Sequence, residues 1–196
     1  PLLMRRALEY VKTFDGIIAQ HAQDPRLTVN AQMNEGVMSS KLGLTGWPAV
    51  AEEAIIARDI LLAEHVDSRL HICHLSTAGG VELVRFAKSR GVKVTAEVTP
   101  HHLLLTEDLI SNYDPIYKVN PPLRTEKDVL ALRSALADGT IDIVATDHAP
   151  HPSEDKDCEW QAAAFGMLGL ETALSVVIKS MVETGMMTLG DVVRVM

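Results

Sequence analysis

Hydrophobic positions recur along the chain with two periods, one helical and one extended. Apolar residues spaced three and four apart predict a first helix, on whose buried face lie Leu2, Leu3, Ala7, Leu8 and Val11. Similar patterns with capping residues predict further helices over residues 48–64, 80–89, 125–136 and 168–182, and another from about residue 189. Short apolar runs between turn formers predict strands over residues 17–20, 70–75, 92–98, 117–119 and 141–145.

This order, strand then helix, repeats along the chain and predicts a parallel α/β fold. Eight such units close a (β/α)8 barrel, known as a TIM barrel, in about 250 residues. Five units in 196 residues would be the latter part of one. A doubly wound open sheet is the alternative, but no Gly-rich phosphate-binding fingerprint supports it. Because the chain starts at Pro1 and stops inside an apolar pattern at Met196, we expect it to be a piece of a longer protein.

Two segments depart from the simple repeat in ways that predict function. The strand 141–145 reads as buried on both faces, and Asp147 follows it, at the end where barrels place their chemistry. Residues 22–46 carry turn formers and little periodicity, which is typical of a functional loop.

Composition and charge exclude several classes of protein. The formal net charge is −8 and no Lys/Arg-rich run occurs, so nucleic acid is not an expected partner. No apolar stretch approaches the roughly 20 residues of a membrane span. The amphipathic start does not resemble a signal peptide, and Cys73 and Cys158 match no metal or redox spacing. We therefore expect a cytoplasmic protein with reduced thiols.

Three ionisable residues lie at or just past the carboxyl ends of predicted strands: His21, His74 and Asp147. In a parallel barrel these ends meet at one rim, and two imidazoles with a carboxylate suit zinc. A single histidine in such a position is more often a hydrogen-bonded surface or core residue, and only the shared placement of all three favours a metal. We interpret His101 and His102 as structural, and place His71 on the opposite strand face from Cys73.

Several motifs resemble those of the bacterial class-I dihydroorotases, in the cyclic amidohydrolase superfamily. They are LGLTGWPAVAEEAIIARD at 42–59, HLSTAGG at 74–80, EVTPHHLLLT at 97–106, KVNPPLR at 118–124, GTID at 139–142 and ATDHAPH at 145–151. The resemblance implies a zinc-dependent hydrolase with one or two Zn²⁺ ions. It would interconvert L-dihydroorotate and N-carbamoyl-L-aspartate in pyrimidine biosynthesis.

The resemblance also implies a role for individual residues. His21, in HAQD where the family usually has HCED, and His74 match ligands of the more exposed zinc. Asp147 matches the ligand of the more buried zinc, which also carries the proton during catalysis. The substrate would be held by the side chains of Asn120 and His151 and by the backbone of Phe165 and Gly166.

Departures from the family pattern keep alternatives open. No His-x-His pair occurs in residues 1–196, and neither the residue that bridges the metals nor the small β-domain is present. The chain would thus be a partial TIM-barrel domain without its N-terminal strands, inactive as an isolated polypeptide. A hydantoinase-like or allantoinase-like hydrolase is one alternative. A non-catalytic subunit that supports aspartate carbamoyltransferase is another, and a homo-oligomer is also compatible with the sequence.

Overall fold

The computed structural model describes all residues from 1 to 196, as an α/β arrangement. Its helices are α1 (Leu2–Lys12), α2 (Val37–Leu42), α3 (Val50–Val66), α4 (Ala78–Ser89), α5 (Glu126–Asp138), α6 (Ser153–Lys156), α7 (Ala173–Val177) and α8 (Leu189–Val195). Its strands are β1 (Ile17–Gln20), β2 (Met33–Asn34), β3 (Gly46–Trp47), β4 (Arg69–Ile72), β5 (Val94–Val98) and β6 (Ile143–Val144). No helix in the structure combines the length and apolarity that crossing a bilayer requires.

The main sheet has four parallel strands in the order β1-β4-β5-β6, so the strands of this sheet lie side by side in the order in which they occur along the chain. The small strands β2 and β3 form a separate parallel pair. Parallel strands that follow one another without a reversal of order build a barrel wall rather than a doubly wound sheet. The α/β barrel expectation is therefore confirmed over these strands.

The two faces of the sheet differ in chemistry because side chains alternate along each strand. Leu70, Ile72, Ala96 and Val98 are buried, in a core that includes apolar residues of α3, α4 and α5. The alternate positions His71, Thr95 and Glu97 carry polar side chains and are only partly buried. In a barrel these polar positions face the interior, where they can serve a site at the rim.

Side-chain caps fix where two of the central helices begin. Thr77 precedes α4 and its hydroxyl accepts from the amide of Gly80. Thr125 and Asp128 form a reciprocal capping box at the start of α5, as the sequence predicts, and Gly139 ends that helix with φ of 82°.

Four expectations about local structure are wrong. Residues 117–119 form no strand: a 3-10 turn covers Pro115–Tyr117, so the main sheet has four strands rather than five. The helix expected over residues 168–182 begins only at α7. The loop 22–46 contains β2, α2 and β3. The strand around residue 143 is not buried on both faces, since Ile143 is 41% exposed.

Candidate metal and substrate site

The structure brings two of the predicted ligands, His21 and His74, into direct contact. His21 directly follows β1, and His74 follows the neighbouring strand β4. Nδ1 of His21 lies 2.9 Å from Nε2 of His74, and the rings meet edge to face. Burial, with a smaller contribution from His21, lowers the pKa of His74, which favours the neutral imidazole that a metal requires.

Asp147 lies at the same edge of the sheet, beyond the end of β6. It makes no direct hydrogen bond to either histidine, but its negative charge acts on His74 and on Cys73. His74 and Asp147 both adopt positive φ, 35° and 45°, which non-glycine residues avoid. Such strain at two strand ends is typical of functional positions.

The histidine pair fits a zinc ion. Two imidazole nitrogens bound to tetrahedral zinc at about 2.0–2.1 Å lie about 3.3 Å apart. The observed separation of 2.9 Å is close to this value, and each nitrogen lies within reach of a single ion. The donor set of two imidazoles with a nearby carboxylate is also one that zinc prefers.

Asn120 is connected to this pair through Gln23. The side-chain amide of Asn120 donates to Oε1 of Gln23 over 3.3 Å, and the same oxygen lies 2.8 Å from Nε2 of His21. The carbonyl oxygen of Asn120 is buried and has no partner in the structure. A buried acceptor without a donor is costly, so this oxygen is suited to receive a hydrogen bond from a ligand.

His151, Phe165 and Gly166 form a second group. Nε2 of His151 lies 2.9 Å from the carbonyl oxygen of Phe165, which makes that nitrogen the donor, and Nδ1 lies 4.0 Å from the carboxylate of Asp155. Gly166 has φ of 147°, and a Cβ there would lie 2.7 Å from the carbonyl oxygen of Ala149. A cavity of about 480 Å³ is lined by His151 and Gly166, but not by His21 or His74.

A cluster on the inner face of β4 and β5 was missed by the sequence analysis. The ligand atoms of His71, Cys73 and Glu97 lie within 4.8 Å of one another, so His71 and Cys73 share a face and the expectation of opposite faces is wrong. Glu97 lies 2.9 Å from Nε2 of His71, whose Nδ1 lies 2.8 Å from the hydroxyl of Thr95. Strict alternation along a strand, two residues per repeat, was the signal that could have found this cluster.

His71, Cys73 and Glu97 could bind a cation. Their hydrogen bonds instead indicate that they position the pair His21 and His74. Both ring nitrogens of His71 already have partners. Burial, with added repulsion from Glu97 and Asp147, raises the pKa of Cys73 to about 11, so the thiol stays protonated. The second oxygen of Glu97 accepts from the backbone N–H of His74 over 3.2 Å.

Two further buried groups stabilise the segments that carry the site. His102 bonds to the hydroxyl of Thr99 and faces the carbonyl oxygens of Pro121 and Pro122, next to Asn120, which fits its structural interpretation. Arg124, which is not predicted from the sequence as a functional residue, is only 1% exposed. Its guanidinium donates to Asn34, to the Trp47 carbonyl and to the Ser76 hydroxyl.

Proteins of known family resemble this chain over most of its length. The family described as "Dihydro-orotase-like" matches residues 2–79. The dihydroorotase of Streptomyces coelicolor is 77% identical over 186 residues, which cover 95% of this chain and 44% of that protein. The dihydroorotase of Mycobacterium tuberculosis is 57% identical over 100% of this chain and 46% of its own length. The chain thus spans less than half the length of the curated relatives it matches.

Solved structures share the fold over nearly the whole chain. The L-hydantoinase of Arthrobacter aurescens superposes with a TM-score of 0.86 at 29% identity, over 98% of this chain and 44% of that one. A dihydroorotase from Saccharomyces cerevisiae, in complex with 5-fluoroorotic acid, superposes with a TM-score of 0.77. At 19% identity, over 96% of this chain and 50% of that one, the yeast enzyme supports the fold alone. The chain therefore belongs to the dihydroorotase family, and its main sheet is a section of the TIM barrel that this family shares with the hydantoinases.

Proposed function

We propose that this chain supplies the metal-binding histidines and substrate contacts of a dihydroorotase. The full protein would interconvert L-dihydroorotate and N-carbamoyl-L-aspartate with the help of one or two Zn²⁺ ions. The observation that carries the proposal is the 2.9 Å contact between His21 and His74, with Asp147 at the same edge of the sheet. The curated relatives named dihydroorotase support the choice of reaction.

The residues of the chain divide the chemistry between them. His21 and His74 would hold zinc, which when bound polarises a carbonyl group and lowers the pKa of water. Asp147 has no hydrogen-bonding partner in the structure, so its carboxylate is available to accept a proton and return it to the leaving ring nitrogen. The unpartnered carbonyl oxygen of Asn120 would accept from a ring N–H of the substrate.

His151, Phe165 and Gly166 would orient the end of the substrate that lies away from the metal. The imidazolium form of His151 would donate from Nδ1–H to a substrate carboxylate, while its Nε2–H stays directed at the carbonyl oxygen of Phe165. The absence of a Cβ at Gly166 lets its backbone pack directly against Ala149 and His151, which places this loop beside the imidazole. Together these contacts would hold the ring with its amide bond towards the metal.

We further propose that residues 1–196 are a partial barrel domain, and that the rest of the protein supplies the remaining strands, the His-x-His pair and the small β-domain. The protein would act on its small-molecule substrate in the cytoplasm, as a homo-oligomer or with aspartate carbamoyltransferase. Gel filtration of the full protein, with and without that enzyme, measures the assembly.

The test of the activity is a direct assay on the full-length protein. Zinc content is measured by elemental analysis, and hydrolysis of dihydroorotate is compared with hydrolysis of hydantoin and allantoin. We expect bound zinc and turnover of dihydroorotate alone. Preferential hydrolysis of hydantoin or allantoin would instead support the related hydrolases, and zinc-free protein without turnover would support a non-catalytic subunit.

A further inference from the structure

Gln23 occupies a position between the metal-binding and the substrate-binding groups. Its side chain is partly buried and makes three hydrogen bonds. Oε1 faces both Nε2 of His21, at 2.8 Å, and the amide nitrogen of Asn120, at 3.3 Å. The amide nitrogen of Gln23 faces the hydroxyl of Thr28, at 2.7 Å.

The bonding of Thr28 determines which way the amide of Gln23 points. The Thr28 hydroxyl donates its only proton to the carbonyl oxygen of Asp24, 3.1 Å away. It can therefore only accept from Gln23, so the NH₂ group of Gln23 lies on the Thr28 side. The carbonyl oxygen of Gln23 must then face His21 and Asn120, as observed.

This orientation determines the tautomer of His21. Since Oε1 of Gln23 is an acceptor only, Nε2 of His21 must carry the proton, and the neutral ring has its lone pair on Nδ1. That lone pair is directed at the position shared with Nε2 of His74. With the other tautomer, a proton on Nδ1 would occupy the place of a metal ion.

The same oxygen also orients Asn120. Because Gln23 takes the N–H of the Asn120 amide, the carbonyl oxygen of that amide is left without a partner and turned away from Gln23. One side chain thus prepares an imidazole for a metal and an amide for a substrate. The sequence has a neutral glutamine here, where the HCED motif of the resembling family places a glutamate.

We propose that Gln23 is a positioning residue: it fixes the Nε2–H tautomer of His21 for zinc and presents the Asn120 carbonyl to the substrate. This inference rests on the proposed function, since it assumes that His21 is a zinc ligand. Hydrogen-bonding partners of ligating histidines typically contribute 10–100-fold to metal affinity.

The experiment uses the full-length protein and three variants. Gln23→Ala removes the acceptor, and Gln23→Glu keeps an acceptor for His21. Gln161→Ala is the matched control, because Gln161 is an exposed glutamine whose side chain has no partner in the structure. Zinc affinity is measured by competition with a chromophoric chelator, and the tautomer of His21 by ¹⁵N NMR of histidine-labelled, zinc-free protein.

We expect the Nε2–H tautomer of His21 in the wild type and in Gln23→Glu, and a mixture of tautomers in Gln23→Ala. Zinc affinity should fall about 10–100-fold in Gln23→Ala, remain within a few-fold in Gln23→Glu, and not change in Gln161→Ala. An Nδ1–H tautomer in the wild type, or unchanged zinc affinity in Gln23→Ala, would overturn the inference.

A fourth variant, His21→Ala, separates this inference from the proposed function. Weaker zinc binding in His21→Ala with no effect of Gln23→Ala would overturn the role of Gln23 alone. Unchanged zinc binding in His21→Ala would overturn the metal site itself, and the role of Gln23 with it.

Discussion

The carboxylate of Glu97 accepts a hydrogen bond from the backbone N–H of His74 over 3.2 Å, at the residue where φ reaches 35°. The other carboxylate oxygen of Glu97 lies 2.9 Å from Nε2 of His71, which is on β4, the strand that His74 follows. Glu97 on β5 therefore holds the end of β4 in a conformation that a non-glycine residue avoids. This bond helps to fix the imidazole of His74 opposite His21, together with the backbone bonds from Cys73 N–H to Gln20 and from Leu75 N–H to Glu97.

The first prediction follows from this contact. Glu97→Gln keeps the size of the side chain but replaces one acceptor oxygen with an NH₂ group, which cannot accept from His71 or His74. We expect the free energy of unfolding to fall by about 1–3 kcal/mol, because a buried donor loses its acceptor. Zinc affinity, measured by chelator competition on the full protein, should fall with it.

The control for that change is Glu82→Gln. Glu82 pairs with Arg85 on the exposed face of α4, and this substitution should alter stability by less than about 0.5 kcal/mol. If the two variants lose stability and zinc affinity equally, Glu97 has no special role at His74.

A second prediction separates the substrate groups from the metal groups. Asn120→Ala and His151→Ala should each lower kcat/KM for dihydroorotate by about tenfold or more. Each variant loses one hydrogen bond to the substrate, and a loss of roughly 1.4 kcal/mol corresponds to a tenfold decrease. Zinc content by elemental analysis should remain that of the wild type. The control is His65→Ala, since His65 is exposed at the end of α3. Loss of zinc from either substrate variant would contradict the assignment.

Gly166 allows a third prediction. A methyl group in Gly166→Ala would lie 2.7 Å from the carbonyl oxygen of Ala149 and 2.8 Å from Nε2 of His151, so one of them must move. We expect a raised KM for dihydroorotate with unchanged zinc content, measured by steady-state kinetics and elemental analysis. Gly185→Ala is the control: its φ is also positive, at 75°, but the added Cβ meets no atom within 4 Å. Equal effects on KM would show that backbone strain alone is responsible.

The buried histidines predict how stability depends on pH. Burial, with a smaller effect of His74, lowers the pKa of His101 to about 3. The unfolded chain binds a proton near pH 6.5, whereas the folded one does not until about pH 3. Stability is therefore complete above pH 6.5 and is lost as the pH falls towards 3, by about 2 kcal/mol at pH 5. Urea unfolding of the wild type and of His101→Phe should show this difference, and parallel curves would contradict it.

The order of strands and helices was predictable because it depends on local patterns and caps. The capping box of Thr125 and Asp128, for example, involves residues that are neighbours in sequence. The expected strand at 117–119 failed because distant contacts decide that segment. Lys118 turns its ammonium group into the interior, where it donates to the Trp160 carbonyl over 2.7 Å. Similarly, the backbone amides of Gly169 and Leu170 donate to Nδ1 of His148. The helix expected from residue 168 therefore begins only at α7.

Only the site residues that directly follow a predicted strand could be placed at the site from the sequence. Parallel strands place His21 and His74 at one edge, and this could be inferred from their positions in the sequence. The supporting bonds of Glu97 and Gln23 could not, since they depend on register and on side-chain orientation between segments far apart in the chain. The assignments of Asn120 and His151 remain predictions for the experiments above, and the role of Asp147 also remains a prediction.

The last prediction concerns residues 1–196 expressed alone. The outer edges of β1 and β6 have no partner strand within this chain, and Ile17 and Ile143 are each more than 40% exposed. Unpaired edges favour aggregation or pairing with another chain, and the zinc site lacks the ligands that the family resemblance places elsewhere. We expect no turnover of dihydroorotate by this polypeptide in the presence of zinc, and association in analytical ultracentrifugation. The full-length protein assayed in parallel is the control. Comparable turnover by the two would contradict both the argument from open edges and the argument from missing ligands.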